Sequence, residues 1–192
     1  MQLQHVNIKL RIADAGEVNL EPLIQVFHAW IQEQVFGDLL LDVADYRHVP
    51  AGPGVVLIGQ EGDYSLDLTD NRLGVRYNRK APLYGSNQDR MQQAARAVLT
   101  ACQRLEAEPG LEGKFRFNGR EIELFVNDRL LAPNRDETRE SAQPDLDAFF
   151  RELFRGGEYS LSYASDPRRL FAVFAMSSRP FLVSELLANL NA

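Results

Sequence analysis

A single cysteine, Cys102, in 192 residues excludes an internal disulfide and any CxxC metal site. Histidine is also scarce: His5, His28 and His48 lie too far apart in sequence to form a local ligand motif, so no metal is expected. The longest clean apolar run is LFAVFAM at residues 170–176, far short of the roughly 20 residues that span a bilayer. The N-terminus MQLQH has no basic stretch leading into an apolar one, so no secretory leader is expected. A cytoplasmic location follows as the expectation, and a lone reduced thiol suits it. There is no GxxxxGK[ST] loop, no GxGxxG between a strand and a helix, and no GxSxG elbow. Nucleotide cradling of the usual kinds is thereby disfavoured, serine-hydrolase chemistry lacks its signature, and no cofactor is expected.

The formal net charge is −6 and the pI about 5.1. General nucleic-acid binding is excluded, because neutralising phosphates needs a surplus of Lys and Arg. With 45% hydrophobic and 25% charged residues the chain is too apolar for disorder. Its length suits one domain over residues 1–192; the alternative is two halves, 1–109 and 110–192.

Periodicity places the elements. Val6, Ile8, Leu10 and Ile12 alternate with Asn7, Lys9 and Arg11, which predicts a half-buried strand. Asn19 caps a predicted helix over 20–35 that Gly37 ends, with Leu23, Phe27, Trp30 and Ile31 in its stripe. A strand is read at 39–49, followed by a three-stranded meander over 55–77. Turns at Glu61-Gly62 and Asp70-Asn71 set Leu57 against Leu66 and Leu66 against Val75. Ser86 or Asn87 caps a long helix whose stripe includes Met91, Val98 and Cys102. Asn118-Gly119 marks a hairpin, with Lys114 facing Glu123 and Arg116 facing Glu121. A helix over 143–155, strands at 159–164 and 170–176, and a final helix capped by Ser178 complete the chain. The order β-α-β-β-β-β-α-β-β-α-β-β-α reads as an α+β fold: a largely antiparallel sheet of about nine strands packed by four helices.

The stretch DVADYRHVPAGPGVV at residues 42–56, the Gly62-Asp63-Tyr64 that follows and NDRLLAPN at residues 127–134 resemble a group of bacterial proteins of unknown function. The resemblance implies no activity and carries over no catalytic residue.

Two constellations are candidates for chemistry. Asp45, Arg47 and His48 offer an acid, a cation and an imidazole within four positions, the makings of a small hydrolase or transferase site. Strand alternation opposes that, since Asp45 and His48 fall on opposite faces unless the strand ends between them. Arg72, Arg76, Arg79 and Lys80 concentrate positive charge in an acidic chain, with Arg47 as a further donor. Such a patch holds a carboxylate or phosphate through bidentate contacts if its arginines are free. If Arg76 instead pairs across the sheet with Asp63 or Asp67, the patch is ordinary surface. The expectation is a non-enzymatic module binding a small anionic ligand or a protein partner. Apolar Val56 and Ile58 on the far side of the meander keep a third class open, an interaction protein acting as a homodimer.

Overall fold

The alternation read at the N-terminus makes β1 (Val6–Ile12) a two-faced strand. The computed structural model describes residues 1–13, 18–111 and 113–191. After β1 come α1 (Pro22–Glu33), β2 (Leu40–Tyr46), β3 (Gly54–Gly59), β4 (Gly62–Asp67), β5 (Gly74–Arg79) and α2 (Asn87–Ala107). The chain continues with β6 (Phe117–Val126), α3 (Asp136–Leu153), β7 (Tyr159–Tyr163), β8 (Phe171–Ser177) and α4 (Val183–Asn189). The fold is α+β, with four helices and one antiparallel sheet of eight strands among the described residues, ordered β2-β3-β4-β5-β1-β6-β8-β7. β1 sits between β5 and β6 and bonds to both, so the first strand of the chain joins the two ends of the sheet.

The described helices cover one face of the sheet. Leu57, Tyr64, Leu66, Val75, Tyr77, Ile8, Leu10, Ile122 and Leu124 point to that side and are buried. Burying a Leu-sized side chain is worth about 1.5–3 kcal/mol, so this continuous apolar face fixes which way every strand turns. α2 begins with a capping box, in which the Ser86 hydroxyl accepts from the Asp89 N–H and the Asp89 carboxylate accepts from the Ser86 N–H. No described helix is long and apolar enough to cross a membrane.

The structure departs from the expected elements in four places. The hairpin at Asn118-Gly119 is absent: both residues fall inside β6, where its register with β1 is interrupted between Ile12↔Phe117 and Leu10↔Ile122, which is why eight strands stand where about nine were expected. Gly119 serves close approach instead of a turn, since a Cβ there would collide with the Phe181 carbonyl oxygen. Glu121 and Glu123 therefore pair with Arg11 of β1 and not with Arg116 and Lys114. The first turn of the meander shifts as well, so that Leu57 faces Tyr64 and Ile58 faces Asp63. The Asp38 carboxylate accepts the N–H groups of Glu61 and Gly62 (2.9 and 3.1 Å) and holds the turn there. A slip of two in register preserves each residue's face, and Leu66 still faces Val75. α1 ends at Gln34, at φ 48°, ahead of Gly37. The Gln34 amide bonds the Ile31 carbonyl and both the N–H and C=O of Leu40, tying the helix end to β2. Finally, α3 starts at Asp136 and carries Pro144 in its interior, while α4 starts at Val183, past Ser178 and Pro180.

Candidate functional site

No described helix covers the other face of the sheet, and its side chains read across the strands in rows. One row is Val56, Ser65, Arg76, Lys9, Glu123 and Phe174; the next is Ile58, Asp63, Asn78, Asn7, Phe125 and Ala172. Strands normally place water over such a face. Here neighbouring side chains bury the middle of it: Lys9 is 1% and Asn7 0% exposed.

Buried charges must be paired, and most on this face are. Lys9 Nζ lies 2.7 Å from an Asp67 oxygen, and Thr69 Oγ1 donates to the other oxygen of the same carboxylate. Gly74 lies between them on β5 and has no side chain to obstruct the reach. Arg11 pairs with Glu121 and Glu123, and Arg72 approaches Glu123 at 3.5 Å while lying over the Phe174 ring. Lys80 Nζ donates to Asp63 (2.7 Å) and to the Gly59 carbonyl (2.6 Å).

Arg76 breaks the pattern. It faces Ser65 and Lys9, its guanidinium makes no ion pair or hydrogen bond among the described residues, and it rests on the Phe125 ring with its guanidinium carbon 4.6 Å from the centroid. Its Nε is buried with no acceptor. Burial pushes its pKa below the ordinary arginine value, against the pull of Asp67 and Glu123. Asn7, in the adjoining row, has its Nδ2 buried without an acceptor too. Two unsatisfied donors thus occupy neighbouring strands of one face, where each lost hydrogen bond costs about 1–3 kcal/mol.

Arg76 also separates two depressions. On one side is a hollow of about 600 Å³ lined by Val56, Ile58, Ser65, Asn78 and Lys80, among others. On the other is a slot of about 110 Å³ walled by Phe125, Ala164, Leu170, Ala172 and Phe174.

The structure does not gather the whole of the sequence-read patch. Arg76 and Lys80 line one hollow, and Arg72 lines another with Arg11, Glu121 and Met176. Arg79 is on the helix-covered side, bonded to Glu61 (2.6 Å) and the Ala81 carbonyl, because it alternates with its neighbours on β5. Arg47 is exposed beyond the end of β2 and wraps the Asp45 carboxylate through its backbone N–H, Nε and Nη2 at 2.8–3.0 Å. Those bonds hold the Asp45 pKa down to about 2. His48 is exposed in the turn after β2, with its ring 6.4 Å from that of Tyr46. None of Asp45, Arg47 and His48 lines the hollow or the slot at Arg76. Among the described residues no group of three or more His, Cys, Asp and Glu is placed to hold a metal. Sequence reasoning missed Asn7, Phe125 and the slot, since the contact of β1 and β6 with β5 spans distant parts of the chain.

No protein-family model matches the sequence, and no curated protein matches it.

Proposed function

We propose that this protein is a binding module that holds a small anion at Arg76 on the open face of its sheet. The carrying observation is that Arg76, alone among the described cations on that face, has no acidic partner. Holding a half-buried guanidinium without one costs folding energy, and a ligand carboxylate or phosphate would recover it. An enzymatic reading around Asp45 and His48 has less support, because Arg47 occupies the acid that would act.

The test is Arg76→Leu, followed by anion binding and by denaturant unfolding. A charge-assisted bidentate contact is worth about 1.5–3 kcal/mol, so the variant should bind small carboxylates or phosphates roughly 10- to 150-fold more weakly by calorimetry. Binding by the parent protein should fall with added salt. Stability should hold or rise, as it does when a burdened functional group is removed. A variant that loses more than ~1 kcal/mol of stability while anion binding is unchanged would mean that Arg76 only props Phe125.

A further inference from the structure

The charges around Arg76 balance in a way that selects the ligand. Lys9 is matched by Asp67, Lys80 by Asp63, and Arg169 beside the slot by Asp70. Arg11 and Arg72 are matched by Glu121 and Glu123. Arg76 therefore leaves a surplus of one positive charge. A monoanion neutralises it, whereas a phosphate dianion would leave a negative charge in a desolvated site already flanked by Asp63 and Asp67. The slot supplies the rest of the specificity. Its walls are Phe125, Ala164, Leu170, Ala172 and Phe174, with Thr69, Asp70 and Arg169 at its rim. Phe125 forms both the slot wall and the platform under the guanidinium, so a group held by Arg76 stands at the mouth of an apolar space of about 110 Å³.

Resting on the anion-binding reading above, we infer that the ligand is a monocarboxylate with a short apolar body, its carboxylate on Arg76 and its body in the slot between Phe125 and Phe174. Arg76 supplies the charge and the fork of donors, and the slot rewards each buried methylene. Ala164 and Ala172 set the depth: small side chains there leave the space open.

Calorimetry of the full chain with acetate, butyrate, hexanoate and octanoate, and with hexanol and inorganic phosphate, tests this. Affinity should rise by roughly three- to fourfold per methylene until the slot is filled and then level off. Hexanol and inorganic phosphate should bind more weakly than hexanoate. Ala172→Leu should erase the gain in affinity with chain length from acetate to octanoate. Ala164→Leu, outside the strands, does the same should Ala172→Leu fail to fold by circular dichroism. Equal affinity for acetate and octanoate, or phosphate binding more tightly than every monocarboxylate, overturns the inference. If acetate or phosphate still binds through Arg76 in that case, the anion site stands and only the ligand class falls. If no anion binds in an Arg76-dependent way, both fall.

Discussion

Lys9 and Arg76 face each other across β1 and β5, yet one has a carboxylate at 2.7 Å and the other has none. Their difference shows how single side chains divide between folding and binding. Lys9 satisfies the rule that buried charges are paired; Arg76 departs from it, and such departures concentrate at functional sites. Cys102 makes the opposite case, a reactive residue type rendered inert. It is fully buried in α2, and burial pushes its thiol pKa well above the ordinary value. An unfolded thiol titrates near ~8.5, below the folded value, so its contribution to stability is complete below about pH 8.5 and is lost as pH rises beyond. Denaturant melts should therefore show stability falling more steeply above about pH 8.5 in the parent than in Cys102→Ala. The native thiol should also ignore Ellman's reagent until denaturant is added; rapid native labelling would contradict its burial.

At the scale of elements, β6 is the instructive strand. Asn-Gly is the strongest short hairpin signal, yet Asn118-Gly119 lies within a ten-residue strand. Ile12 pairs with Phe117 on one side, and the Phe181 carbonyl presses on Gly119, so tertiary contacts outweigh the local turn preference. Gly119→Ala should therefore cost about 1–3 kcal/mol in denaturant unfolding, because backbone must move to admit a Cβ. Gly37→Ala is the control. Nothing lies within 4 Å of a Cβ there, so its effect should stay within ~0.5 kcal/mol. Equal effects at the two sites would mean that β6 does not approach the Phe181 segment.

For the whole molecule the decisive feature is β1. Its ladder to β5 and its ladder to β6 make one sheet out of strands from opposite halves of the sequence. Unfolding should consequently be a single transition, with Trp30 fluorescence and far-ultraviolet circular dichroism reporting the same midpoint. Separate midpoints would mean that the two ends of the sheet melt independently. The same strand builds the site: it brings Asn7 beside Phe125 of β6 and Lys9 beside Arg76 of β5.

Much of this was legible in the chain. Period-two alternation identified both faces of β1 and of the meander, because apolar burial on one side leaves no freedom in facing. The Leu66–Val75 register followed from a local turn, and the Ser86 cap from helix chemistry. The charge cluster was visible too, but alternation divided it, sending Arg79 to the helix side and Arg76 to the open one. What the linear chain left undecided was every partnership across long separations. Lys9 reaches Asp67 across 58 residues, and Arg11 reaches Glu123 across 112. The Lys9–Asp67 and Lys80–Asp63 pairs consumed the two acids that local spacing would have assigned to Arg76. Only strand order in the sheet determined which cation would be left over, since pairing energy depends on distance in space and not on distance along the chain.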